Sequence, residues 1–164
     1  YPRKAVKKFI DIYTRPSLTW ENLAYLRQIT KLPILLKGIL HPDDALKALD
    51  HGIDGLVISN HGGRQVDGAV GTMDMLPLIA NAIQGRIPLL LDSGVRGGAD
   101  IFKALALGAT AVCLGRPYVY GLTLGGNEGV QQVLANYLAD FDLTMALAGC
   151  RSIKEIGTEN VWKE

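Results

Sequence analysis

The chain has 164 residues, 48% of them apolar, which is enough for one ordinary domain with a sizeable core. Its 17 Lys and Arg balance 16 Asp and Glu for a formal charge of +1, so no basic face marks it for nucleic acid or an anionic membrane. No apolar run reaches the length of a membrane span and no secretory signal is visible, while Cys113 and Cys150, far apart and outside any Cys-x-x-Cys unit, point to a reducing compartment, taken as the cytoplasm.

Residues 1–16 open on Tyr1 with the basic stretch YPRKAVKKF, have little core character and read as a linker or the end of a fragment of something longer. The SLTW stretch at 17–20 predicts a capped helix running to about Ile29, with Glu21 and Asn22 in its first turn. Pro33 to Lys37 is a short apolar run opened by proline, which suits a strand buried on both faces. A short helix follows from Asp43 or Asp44 and stops near Gly52, and Leu56 to Ser59 is the next strand. After a helix near Leu76–Ile83 the pattern returns: a strand from Pro88 to Asp92, a helix from Gly98 or Asp100 that stops near Gly108, and a strand from Ala111 to Gly115. A long amphipathic helix from about Asn127 to Leu147, preceded by GLTLGG, follows the last strand.

Two of these stretches are copies of one unit, the first starting at Pro33 and the second at Pro88. With a one-residue adjustment, Asp44, Lys47, Ala48, Leu49 and Gly52 fall on Asp100, Lys103, Ala104, Leu105 and Gly108. Four apolar strands separated by helices imply a parallel α/β sheet.

In such sheets ligands gather beyond the carboxyl ends of the strands. Those ends are Lys37-Gly38, Ser59-Asn60-His61, Asp92-Ser93-Gly94 and Gly115-Arg116, each with an ionisable group at or beside it. A turn after the second strand needs only Asn60 and the glycines. His61 and Arg64 are surplus to that requirement, either bystanders in a solvated loop or parts of a site. Four polar endings on one rim favour the site, because polar groups beside a buried sheet need partners. The loops DSGVRGGAD and LGRPYVYG each lead into a helix and each carries one arginine, Arg96 or Arg116; amides at a helix start beside a guanidinium make an anion site for which phosphate is the usual guest. Cys113, within TAVCLG, reads as a small buried strand residue.

The stretches LKGI, SNHGGRQ, DSGVRGGADIFKALALGA, GRPYVYGL and DLTMALAGCRSIKEI together resemble the carboxyl-terminal half of the FMN-dependent α-hydroxy acid oxidising enzymes, with the same order and spacing from about Leu18 to near the end. LHPDDA, GRQVDGAVG and GRPYVYGLTLGG are similar to the lactate monooxygenase and lactate oxidase branch. The resemblance implies that residues 17–164 are strands 5 to 8, the C-terminal half, of an FMN-binding (β/α)8 TIM barrel. It implies that His61 is the catalytic base and that His61 and Arg64 bind the substrate, with the arginine on its carboxylate. Lys37 would stabilise the anionic reduced flavin and Ser59 would touch the isoalloxazine. Asp92 would reach the ribityl chain. Gly94, Arg96, Gly115 and Arg116 would hold the FMN phosphate, with Ser93 and Val95 in the same cofactor-binding loop; no metal is expected. The chemistry suits these roles: a guanidinium fork matches a carboxylate, and imidazole is a base fit for near-neutral proton transfer. The implied reaction is oxidation of a small (S)-2-hydroxy acid, L-lactate foremost, by oxygen, in an oxidase or a 2-monooxygenase. The implied partners are a complementary N-terminal half-barrel polypeptide, which would supply a substrate-facing tyrosine and the carboxylate that orients the histidine, and further copies in a tetramer or larger assembly. A different FMN- or phosphate-binding barrel enzyme and a non-catalytic half-barrel are the competing readings.

Overall fold

A computed structural model of the chain describes residues 1–162, so positions 163 and 164 of the expected barrel half lie outside the described residues. The chain divides into two compact units, Tyr1–Leu32 and the remainder from Pro33. In the first, residues expected as a linker form helix α1, Pro2–Tyr13, none of whose residues is buried. Local pairing accounts for it: Pro2 opens the helix, Lys7 and Asp11 pair at 3.2 Å, and the rings of Phe9 and Tyr13 stack with centroids 4.3 Å apart. Helix α2, Asn22–Ile29, starts later than the SLTW stretch predicts. Its first turn is closed by Asn22, whose Oδ1 accepts from the Thr19 amide at 2.9 Å, and not by Ser17.

The second unit carries a four-stranded parallel sheet in the order β1 (Leu35–Ile39), β2 (Gly55–Ile58), β3 (Leu89–Leu91), β4 (Ala111–Val112). Helices α3 (Pro42–Asp50), α4 (Thr72–Ile83) and α5 (Gly98–Ala106) connect the strands, and α6 (Arg116–Leu147) follows β4. Burial on both faces holds for β2, which has a neighbour on each side, whereas β1 and β4 pair on one side only among the described residues and are partly exposed. The core lies between the sheet and its helices, where Leu56, Ile58, Leu76, Ile79, Ile83 and Leu91 are fully buried, as are Ala45 and Ala48 of α3. Phe102 of α5, Met145 of α6 and Cys150 form a second cluster.

The internal repeat is visible in the hydrogen bonds. Gly52 (φ 68°) and Gly108 (φ 107°) each end a helix in the left-handed region, and each is followed by an amide that reaches back into the helix, Ile53 to Ala48 and Ala109 to Ala104. α6 is a helical hairpin. Gly125 and Gly126 leave helical geometry just before Asn127, where the long helix was expected to begin, and the two limbs fold back until Gly121 and Gly129 meet backbone to backbone.

Candidate active site

Parallel strands deliver their carboxyl ends to one rim, which places Lys37 of β1, Ser59 after β2 and Asp92 after β3 side by side. Lys37 Nζ lies 2.9 Å from Asp92 Oδ2. Ser59 stands between them: its hydroxyl donates to Asp92 Oδ2 at 2.5 Å and accepts from Lys37 Nζ at 3.0 Å. Burial pushes the Asp92 carboxyl up, but the hydrogen bonds from Ser59 and Lys37, the charge of Lys37 and a longer bond from Ser93 outweigh it and hold the group below its ordinary value of 3.8. The neighbouring Cys113 thiol moves the other way, raised by burial and by the charge of Asp92, with Lys37 as a partial offset.

After Ser59 the chain turns sharply. Asn60 caps a single 3-10 turn, His61–Gly63, by accepting the Gly63 amide at 3.2 Å. His61, Gly62 and Gly63 all have positive φ, at 57°, 68° and 72°. The His61 and Gly62 amides end on two serines, with His61 N–H on Ser59 Oγ and Gly62 N–H on Ser93 Oγ, both at 3.0 Å. Arg116 donates to the Gly62 carbonyl at 2.7 Å. The imidazole lies against a break in β1 at Gly38 (φ 97°), where the register to β2 shifts; a Cβ there would sit 2.7 Å from His61 Cε1. Glycine at 38 thus gives both the bend and the room.

These residues wall a cleft of about 380 Å³. Of the residues singled out in the sequence, Lys37, His61, Arg64, Asp92, Ser93, Gly94, Val95, Arg96, Gly115 and Arg116 line it. Ser59 is 0% exposed behind the wall, where its hydroxyl bonds Lys37, Asp92 and the His61 amide. Cys113, read from the sequence as strand packing, lines the cleft, as do Tyr118 and Val119. The two aromatic and aliphatic positions fall within the first turn of α6 after Arg116, a placement that GRPYVYG carries but that needs the start of α6 to be known.

The lining holds Lys37, Arg64, Arg96 and Arg116 against the single carboxylate of Asp92, an electropositive cleft suited to an anion. The two loops serve it differently from expectation. At the start of α5 the amides of Arg96 and Gly97 are taken by Asp100, at 2.8 and 3.1 Å, and that of Gly98 by Asp140 of α6. The α6 start has no side-chain cap, and Gly94 and Gly115 present bare backbone: a Cβ at either would meet nothing within 4 Å. With the Arg96, Gly97 and Gly98 amides already paired, Arg96, Arg116 and the open backbone at Gly94 and Gly115 are the groups that would meet a phosphate. The cationic edge at Lys37, the glycine walls and the two arginines fit a flavin mononucleotide in charge. Among the described residues no cluster of His, Cys, Asp or Glu could hold a metal, and no helix is long and apolar enough to cross a membrane.

Comparison with known proteins identifies the family. A family model described as FMN-dependent dehydrogenase matches residues 2–163. The chain is 53% identical over 143 residues to an L-lactate oxidase of Lysinibacillus sphaericus, covering 87% of this chain and 37% of that protein. It is 48% identical over 159 residues to a 2-hydroxyacid oxidase of Dictyostelium discoideum, covering 97% and 41%. Among solved structures, mandelate oxidase with benzoyl-formic acid superposes with a TM-score of 0.81 at 47% identity, over 84% of this chain and 41% of that one. The chain spans about two fifths of the length of these relatives, as a four-strand half of an eight-strand barrel would. The matched residues, the parallel half-barrel and the electropositive cleft at its rim together place this chain in the FMN-dependent dehydrogenase family, whose cofactor is FMN.

Proposed function

We propose that this chain takes part in the FMN-dependent oxidation of a small (S)-2-hydroxy acid, with L-lactate the foremost candidate and oxygen the electron acceptor, as an oxidase or a 2-monooxygenase. The observation that carries the reading is the single turn after β2, which sets an exposed imidazole, His61, and an exposed guanidinium, Arg64, on the same cleft as Lys37 and two further arginines. Arg64 pairs with the substrate carboxylate and so orients the carbon that bears the hydroxyl. His61 accepts the proton released as the hydroxy acid becomes a 2-oxo acid. Lys37, Asp92, Ser93, Gly94, Val95, Arg96, Gly115 and Arg116 hold the cofactor, which when bound supplies a two-electron acceptor that oxygen can reoxidise. Ser59 stands with them in the cofactor site, bonded to Lys37, Asp92 and the His61 amide. The relatives named above for lactate, 2-hydroxy acids and mandelate share the hydroxy acid and differ in what it carries.

β1 and β4 each present an unpaired edge among the described residues, and a complementary polypeptide of four strands would cover both. We assign residues 17–164 to the C-terminal barrel half that such a polypeptide completes, working as a tetramer or larger assembly. Free Cys113 and Cys150 suit a reducing compartment such as the cytoplasm. The test mixes the purified chain with FMN, alone and together with the four-strand half, and adds L-lactate without oxygen. Bleaching of the flavin band that reverses in air, with the half present, is the expected result. No bleaching by lactate or any other small 2-hydroxy acid in either arm overturns the reading.

A further inference from the structure

We propose that Ser59 and Ser93 are positioning residues whose hydroxyls receive the His61 and Gly62 amides and hold that backbone in the left-handed turn that carries the imidazole to the cleft. The proposal rests on the reading of His61 as the base. A left-handed conformation is unfavourable for a residue with a Cβ and persists only where its surroundings over-determine it. Here two residues other than glycine adopt it at one site, His61 at φ 57° and Ser93 at φ 85°. The surroundings are the two hydroxyls, each 3.0 Å from its amide, together with the Arg116 guanidinium on the Gly62 carbonyl and the Thr72 hydroxyl on the Ser93 carbonyl at 3.3 Å.

The Ser59 hydroxyl engages three partners within 3.0 Å. A serine hydroxyl offers one hydrogen and two lone pairs. Its hydrogen goes to Asp92 Oδ2, and its lone pairs take Lys37 Nζ and the His61 amide. Because the carboxylate accepts the hydrogen, the lone pairs are turned toward Lys37 and His61. Ser93 reaches the same Asp92 oxygen at 3.4 Å while accepting from Gly62. The ion pair between β1 and β3 thereby sets the direction of the hydroxyls that hold the His61 turn.

The test uses the FMN-loaded holoenzyme and the variants Ser59→Ala, Ser93→Ala and Ser59→Thr. Amide hydrogen exchange is read at His61 and Gly62, beside kcat, KM and FMN affinity. Ser59→Ala should lose protection at His61 and Ser93→Ala at Gly62. In both, kcat should fall about 10- to 100-fold, the scale of a displacement near 1 Å, with KM little changed because Arg64 is intact. Ser59→Thr keeps the oxygen and should restore protection and much of kcat. Unchanged exchange at both amides, or a kcat loss that saturating FMN abolishes, overturns the proposal. Should Ser59→Ala fail to fold, Ser93→Ala decides through Gly62. A wild-type holoenzyme that oxidises no hydroxy acid would sink the functional reading, while the exchange measurement would still decide whether the serines hold the turn.

Discussion

Lys37 Nζ and Asp92 Oδ2 lie 2.9 Å apart and join the ends of β1 and β3 across β2, with the buried Ser59 hydroxyl bonded to both. Lys37 is about half exposed and Asp92 mostly covered, so the pair is screened on one side only. Asp92→Asn should destabilise the chain by about 1–2 kcal/mol at neutral pH, because it removes a charged acceptor from both Lys37 and Ser59. The carboxyl is held below 3.8 in the fold, so its contribution is complete above that value and is lost as pH falls through the lower folded one. Urea unfolding of wild type and Asp92→Asn should therefore differ by a constant amount from neutrality down to about pH 5 and converge in stronger acid. A gap that widens on acidification would contradict the assignment.

His61→Gln keeps a polar side chain without a useful base. Stopped-flow reduction of the FMN-loaded variant by hydroxy acid should be slower by about 10²–10⁴, with FMN affinity nearly unchanged. Reduction at the wild-type rate would remove His61 from the role.

Arg64→Lys preserves charge but loses the planar fork. Steady-state kinetics should show kcat/KM for the hydroxy acid lowered by about 10- to 100-fold, the equivalent of roughly 1.5–3 kcal/mol for a charge-assisted contact. An equal loss with an uncharged 2-hydroxy amide would place the guanidinium away from the carboxylate.

The two cleft arginines should separate by consequence. Arg96→Ala and Arg116→Ala should each weaken FMN more than riboflavin, by about 1.5–3 kcal/mol in FMN titrations. Only Arg116→Ala should also loosen the His61 turn, because Arg116 donates to the Gly62 carbonyl whereas the Arg96 guanidinium donates to the carbonyl of the preceding Val95. Equal weakening of both flavins would indicate that neither arginine meets the phosphate.

Gly38→Ala adds a methyl where φ is 97° and the His61 ring is in the way. The chain should still fold, at a cost of about 1–3 kcal/mol in thermal or urea unfolding, while the displaced imidazole lowers kcat. Unaltered turnover in a stable Gly38→Ala protein would show that the ring does not need the β1 break.

The parallel sheet was legible in the chain because apolar runs alternate with helix signals, although β1 runs on past Lys37 to Ile39 and β4 stops at Val112, short of Gly115; the left-handed helix stops at Gly52 and Gly108 announce themselves by residue type. His61, Arg64 and the two loop arginines could be picked out because they exceed what a turn requires. One further feature rests on local side-chain pairing and two on tertiary contacts. Residues 2–13 became a helix through side-chain pairs four apart that composition alone does not weigh. The amides of α5 were withdrawn from anion binding partly by Asp140, distant in sequence and brought near by the α6 hairpin. The buried place of Ser59 depends on Lys37, Asp92 and His61, from three different segments, converging on one hydroxyl. Local sequence determines which groups stand at a strand end, since that follows from backbone propensity and periodicity; which of them face the cleft and which are consumed holding the others depends on distances between segments that only the packed sheet sets.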